Sequence, residues 1–272
     1  MARISQILGF VGSGRMATAL GRGCVQSGLV AAEQVLATDP NDEARQRFAE
    51  QVPSARLMSS CEPLLAKADI VVLAVKPQVM ATLLAELAPH ATERHLFVSI
   101  AAGIRLTKLD AMLPAGKIVR VMPNTPCLIG LGASCYSLGR MATNTEARLV
   151  QQILGSVGSA TQVEETMLDA VTGLSGSGPA FIYSVIEALA AGGAAMGLPQ
   201  QLALELATQT ARGAAEMLLS TGSTPAELRE QVTSPGGTTL AGLEMFAKLD
   251  GAAVLRATVE AATKRSVELS HQ

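Results

Sequence analysis

A glycine-rich turn set between a strand and a helix constrains this chain more than any other feature. Residues 4–11 read as a short apolar strand and residues 16–27 as a helix. Between them stands Gly12-Ser13-Gly14-Arg15-Met16-Ala17, a G-x-G-x-x-A pattern. Gly12 suits a tight turn, Gly14 lets the backbone approach a diphosphate closely, and Ala17 permits close helix–strand packing. The N-terminus of the helix adds N–H donors and the positive end of its dipole. The pattern alone is weak, but its strand–turn–helix setting makes it a dinucleotide-binding fingerprint. Gly12, Ser13, Gly14, Arg15, Met16 and Ala17 are therefore candidate cofactor ligands. The alternative is an ordinary glycine turn.

The rest of the first 160 residues repeats this alternation. Strand patterns at 34–38, 70–75, 95–101 and 117–122 are separated by helical stretches such as 43–51. Residues 70–75 form an uninterrupted β-branched run, as expected of a parallel strand buried on both faces. Strands alternating with helices predict right-handed βαβ units in a doubly wound sheet. From Met167 onward the strand signal vanishes, and Ala/Leu/Glu-rich segments broken by Gly178-Pro179, Gly197-Leu198-Pro199 and Ser223-Thr224-Pro225 predict helices only. The expected organisation is an α/β dinucleotide-binding domain at 1–162 followed by an all-α domain at 163–272. The second domain is rich in Ala and Gly, as in residues 190–195, which suits tight helix packing within one subunit or between subunits.

The nearly balanced charge, −2 overall, and the lack of any basic stripe argue against nucleic-acid binding. The most apolar stretch, 188–198, is glycine-broken and too short to span a bilayer. The N-terminus enters a strand pattern with no leader, so a cytoplasmic location is expected. Cys24, Cys61, Cys127 and Cys135 form no C-x-x-C pair and have no histidine beside them, so no metal is expected and the thiols read as buried apolar groups. His90, His95 and His271 lie in no motif and are expected at the surface or in loops.

Asp39 follows the second strand, 22 residues after Ala17. It suits a contact to the adenosine ribose hydroxyl, or equally a helix N-cap with Pro40 at the first helical position. On the ribose it would repel a 2′-phosphate and favour NADH, and no arginine immediately follows it. Val75-Lys76-Pro77 closes the buried strand, where ligands of open α/β sheets bind. Lys76 could meet the cofactor or simply be solvated. Three later segments concentrate glycine, proline and hydroxyls: 122–126, 175–180 and 234–239. In the last, Gly236 and Gly237 free the backbone for a nest of N–H groups, with Thr238 and Thr239 at the start of a helix over 241–249. It reads as a small-carboxylate site or an elaborate helix cap.

These segments together resemble the pyrroline-5-carboxylate reductase family over essentially the whole chain. The resemblance runs through residues 9–17, 74–77, 99–103, 122–126, 175–180 and 233–239, the last being the most specific. It implies a Rossmann-type domain followed by a helical dimerisation and substrate domain, with interlocked homodimers that in some members form decamers. It implies NADPH or NADH as cofactor, held by residues 12–17, Asp39, Val75, Lys76, Pro77, Ala101 and Ala102. It also implies that Gly237, Thr238 and Thr239 hold the substrate carboxylate, with the Thr239 hydroxyl near the ring nitrogen and Ser234 close by. Glu165 matches an acidic position near the substrate, although it also reads as a solvated residue at a helix start. Gln231 stands where some members carry asparagine, and Asp39 where others carry serine or asparagine.

The implied reaction is reduction of the cyclic imine to proline, the last step of proline biosynthesis. It needs hydride from the nicotinamide, orientation, and a hydroxyl or water to pass a proton. Thr239 is the expected positioning donor and relay. A β-hydroxyacid dehydrogenase would need a lysine after the Gly173–Gly178 turn, and no lysine occurs between Lys117 and Lys248. A short-chain dehydrogenase would need Tyr-x-x-x-Lys, but Arg140 and Glu187 follow Tyr136 and Tyr183 at that spacing. A lactate-type enzyme would need a well-placed histidine. A dinucleotide sensor or an oligomeric scaffold would have no use for the 234–239 nest.

Overall fold

The computed structural model describes residues 3–270. Two compact units divide it: one holds the residues up to Ser177 together with those from Ala262 on, the other is Gly178–Ala261.

The first unit is built on an eight-stranded sheet. Its strands are β1 (Leu8–Val11), β2 (Val35–Thr38), β3 (Arg56–Leu57), β4 (Ile70–Leu73), β5 (Leu96–Ser99), β6 (Lys117–Met122), β7 (Gly132–Leu138) and β8 (Gly158–Gln162). They lie in the order β3-β2-β1-β4-β5-β6-β7-β8. The chain runs outward from β1 to β3, then crosses back to place β4 on the other side of β1, with Leu8 opposite both Val35 and Ile70. That reversal is the topological switch point at which doubly wound sheets bind ligands. All pairs are parallel except β6–β7.

Helices cover both faces. Helices α1 (Arg15–Gln26), α2 (Asp42–Gln51) and α6 (Asn144–Gly155) pack on one, through Leu20, Phe48, Val150 and Ile153. Helices α3 (Cys61–Leu65), α4 (Pro77–Leu87) and α5 (Leu106–Met112) pack on the other, through Leu64, Leu84 and Leu109. Alternate strand residues feed the two layers: Val72 faces the first core and Val71 the second, both fully buried. Each such side chain contributes roughly 1.5–3 kcal/mol by leaving water.

The five strands legible as apolar runs are β1, β2, β4, β5 and β6; β6 has the expected bounds, and the other four are shorter at their ends than expected. The two-residue strand β3 was not anticipated, nor were β7 and β8. The sequences of β7 and β8, GASCYSL and GSATQ, carry small and polar residues because they close the sheet's far edge, and β8 is largely exposed. His95 lies in the loop just before β5, as one of the two expectations had it, but is buried rather than at the surface. Its Nδ1 accepts from the Thr92 amide at 2.9 Å, which places the proton on Nε2, 3.0 Å from the Leu65 carbonyl. Burial, the largest effect, pushes its pKa down. His90 is exposed, and His271 lies outside the described residues. Cys24, Cys61 and Cys127 are buried and Cys135 is partly so.

The first unit continues through α7 (Leu168–Val171) and a π-turn, Thr172–Gly176. It therefore runs past the division at 162 expected from composition. The end of α12 (Gly251–Ser270) returns to it, with the Ser266 hydroxyl donating to Asp169 Oδ1 at 2.7 Å and Arg105 donating to the Ser270 hydroxyl.

The second unit is wholly helical. It comprises α8 (Gly178–Ala195), α9 (Gln200–Thr221), α10 (Pro225–Gln231), α11 (Thr238–Lys248) and the beginning of α12. Its small core is Ala190, Ala203 and Ala207, which pack within the chain, while Ala188, Ala191 and Ala195 of α8 are exposed. Many large apolar side chains remain exposed, among them Ile182, Leu189, Met196, Leu206, Phe246 and Leu255. By length and composition alone the helical run Glu165–Ala195 could cross a membrane, a run longer than the 188–198 stretch that sequence reading judged too short.

Candidate active site

The glycine loop sits at the carboxyl end of β1. Gly12 has φ +91, and a Cβ there would stand 2.7 Å from the Ala74 carbonyl oxygen, so only glycine fits. Gly14 is the N-cap of α1 with no side chain capping the helix. A Cβ on Gly14 would meet no protein atom within 4 Å, so its smallness leaves room for something other than the chain. Ser13 is buried and its hydroxyl has no hydrogen-bond partner among the described residues. Free helix N–H groups, open space and an unpartnered buried hydroxyl fit a diphosphate placed on this loop. Arg15 opens α1 at the surface, Met16 is half-buried and Ala17 is fully buried against the sheet.

A cleft of about 460 Å³ opens beside the loop, lined by Gly12, Asp39, Ser60, Val75, Val79 and Thr82 among others. It runs along the carboxyl ends of β1, β2 and β4, the position of an adenosine half in this topology. Val75 therefore faces the cleft. Lys76 is exposed as the N-cap of α4, and Pro77 takes its first position. Ser59, Ser60 and Thr82 carry no motif, and only the fold brings them here. Cys61, at the cleft wall, has its thiol pushed up to about 12 by burial and by the neighbouring Glu86 carboxylate, so it is not a nucleophile.

Asp39 joins the cleft to the loop. Its Oδ2 accepts the Ser13 amide at 2.8 Å and its Oδ1 the Asn41 amide at 2.9 Å. The expected alternative, Asp39 as the cap of α2, is corrected: the cap is Asn41, whose Oδ1 accepts from the Ala44 amide at 3.0 Å. Sequence reading also missed Arg45. It lies one turn into α2, where its guanidinium reaches both the Asp39 carbonyl and the Asp42 carboxylate. A cation thus stands on the turn that looked purely acidic.

Ala101 and Ala102 follow β5, the first buried and the second exposed. Beyond them, Glu165 Oε1 accepts the Leu106 amide at 2.7 Å and the Arg120 guanidinium at 2.8 Å. Glu165 is therefore not a freely solvated residue. The buried Arg120 on β6, unremarked in the sequence, is its ion-pair partner.

The remaining candidates, Ser234, Gly237, Thr238 and Thr239, lie in the second unit. Gly236 has φ +70, and Gly237 is the N-cap of α11 with no side-chain cap. A Cβ on Gly237 would collide with the Ser234 hydroxyl, which holds Ser234 against the turn. The Gly237 amide donates to the Ser234 carbonyl at 3.0 Å. Ser234 and Thr238 are exposed and Thr239 is half-buried in the first turn. The uncapped start of an 11-residue helix followed by two threonines can receive a small anion.

Two family models match. One, described as NADP oxidoreductase coenzyme F420-dependent, covers residues 7–103, and one described as pyrroline-5-carboxylate reductase dimerisation covers residues 165–269. A pyrroline-5-carboxylate reductase of Pisum sativum is 43% identical over 266 residues, covering 98% of this chain and 97% of that protein. The chain belongs to the pyrroline-5-carboxylate reductase family. Solved reductases of this family have the same fold. That of Coxiella burnetii superposes with a TM-score of 0.93 at 31% identity, over 98% of this chain and 99% of that one. That of Plasmodium falciparum, solved with NADP bound, gives 0.86 at 32% identity, over 99% and 100%. Within the pyrroline-5-carboxylate reductase framework, the first model spans the loop, Asp39, Val75–Pro77 and Ala101–Ala102, and the second spans Glu165 and the start of α11.

Proposed function

We propose that the chain is an NAD(P)H-dependent oxidoreductase that reduces the cyclic imine 1-pyrroline-5-carboxylate to proline, completing proline biosynthesis. Family membership over nearly the full length supports the reaction. The observation that carries it onto these residues is the uncapped, glycine-built start of α11, with Thr239 half-buried beside it.

The dinucleotide supplies hydride when bound. The chain's own residues bind and orient. The glycine loop from Gly12 to Ala17 holds the diphosphate, Asp39 and Val75–Pro77 line the adenosine half, and Ala101 and Ala102 border the nicotinamide end. The amides of Gly237, Thr238 and Thr239 hold the substrate carboxylate. The Thr239 hydroxyl stands by the ring nitrogen, and Ser234 braces the loop. The imine carbon gains the hydride and the nitrogen carries a proton. A neutral threonine is a poor acid, so Thr239 aligns the protonated imine and relays a proton from water. Glu165 remains an acidic group on the substrate side, with Oε1 already held by Arg120 and Leu106.

We further propose that residues 163–272 act as the dimerisation and substrate domain of a homodimer, assembled further into a decamer. The exposed apolar side chains of α8, α9, α11 and α12 support it. The same surface accounts for the apolar run Glu165–Ala195 without a membrane. A cytoplasmic enzyme with neither nucleic-acid nor membrane partners fits the near-neutral charge; the mass in solution checks the assembly.

The test is spectrophotometric. The purified protein with pyrroline-5-carboxylate should oxidise NADPH or NADH, and the rate should vanish without the imine. Binding of both cofactors without turnover would leave the cofactor site and remove the reaction.

A further inference from the structure

Two segments that stood out in the sequence, 122–126 and 175–180, have so far no role in the reaction, and they dock on each other. Asn124, only 9% exposed, lies two residues past β6, after Pro123. Its Oδ1 accepts the Ala133 amide at 2.9 Å, and its Nδ2 donates to the Ser175 carbonyl at 3.1 Å. One carboxamide thus joins the end of β6, the start of β7 and the π-turn. Gly176 lies against the Met122 thioether, and any Cβ there would push it aside.

The bond from Asn124 answers a specific deficit. In a continuous α-helix the Ser175 carbonyl would accept the amide of residue 179. That residue is Pro179, which has no N–H. The π-turn closes with the Ser177 amide on the Thr172 carbonyl at 2.8 Å, which leaves Ser175 to an outside donor. Strand order places this donor. With the adenosine cleft at β2 and the diphosphate loop at β1, the nicotinamide arm extends over the carboxyl ends of β4, β5 and β6. Asn124 stands at the last of these.

We infer that Asn124 is a positioning residue that fixes the Ser175–Gly176–Ser177 segment at the nicotinamide end of the cofactor site. It acts through the Ser175 carbonyl. The inference rests on the dinucleotide reading of the cleft and on the proposed reaction.

Asn124→Asp tests it, since it keeps the acceptor for Ala133 and removes only the donor to Ser175. Asn124→Ala, which removes the whole carboxamide without adding charge, guards against an effect of the charge itself. For both variants we expect kcat to fall about 10-fold, in line with a charge-neutral hydrogen bond worth about 1.4 kcal/mol. By calorimetry, affinity for NAD+ and NADP+ should fall 5-fold or more, while that for ADP-ribose, which lacks only the nicotinamide ring, stays within 2-fold. Values within 2-fold of wild type for kcat and NAD(P)+ would overturn the inference. So would an equal loss for ADP-ribose, which would mark a general structural role. A wild type that binds NAD(P)+ but does not reduce the imine would sink the reaction instead, while calorimetry would still decide on Asn124.

Discussion

Asp39 holds the glycine loop through the Ser13 amide and lines the cleft proposed for the adenosine ribose, while Arg45 brings an opposite charge to its carbonyl. Asp39→Ser should raise the kcat/KM ratio of NADPH over NADH by roughly 5- to 10-fold, the equivalent of about 1 kcal/mol between like charges 4 Å apart in water. An unchanged ratio would mean that the carboxylate serves only the Ser13 and Asn41 amides. For the proposed substrate cradle, Thr239→Ala should lower kcat on the order of 100-fold, the scale of losing one transition-state donor. Thr239→Ser should stay within a few-fold. Steady-state kinetics with the imine checks both, and turnover unchanged in Thr239→Ala would remove the assignment. Of the site, what sequence could reveal were residues whose motif dictates their backbone, such as Gly12 and Gly237. Arg45, Arg120 and Thr82 escaped because only the fold brings them to their partners, and no spacing announces that.

At the scale of elements, α6 shows how a buried charge is held. Glu146 closes a capping box with Thr143 and pairs with Lys117 at 2.8 Å. Burial pushes its pKa up, but the Lys117 ammonium and the Thr143 hydroxyl and amide outweigh it and bring it from 4.5 down to about 2. A depressed carboxylate contributes stability that is complete above pH 4.5 and lost as pH falls through about 2. Glu146→Gln should therefore cost about 1–3 kcal/mol at pH 7, with the gap to wild type shrinking toward pH 2. Denaturant unfolding across that range checks it, and a gap independent of pH would assign the effect to packing. The strands buried on both faces were legible because water exclusion writes itself as unbroken apolar runs, as in β4. The edge strand β8 is under no such demand, β7 mixes small and polar residues with apolar ones, and the π-turn is invisible to any period read from apolar residues. The burial of His95 was missed because it depends on two backbone partners, Thr92 and Leu65, that no pattern encodes.

At the scale of the whole molecule, a doubly wound unit presents the cleft proposed for the dinucleotide, and a helical unit with little core of its own presents the proposed anion cradle and a large apolar surface. The change from one to the other was visible in composition, although the compact units part at Ser177 rather than where the strand signal fades. That the helical unit buries only three alanines of its own fits a part completed by a second copy. The central claim is hydride transfer from the cofactor to the imine carbon of pyrroline-5-carboxylate. The most direct measurement is turnover with NADPH or NADH deuterated on the transferred face of C4, followed by mass spectrometry of the product. The account predicts proline carrying one deuterium at the former imine carbon, formed one-for-one with oxidised cofactor; cofactor oxidation that leaves proline unlabelled with either face deuterated, or no proline at all, would contradict it.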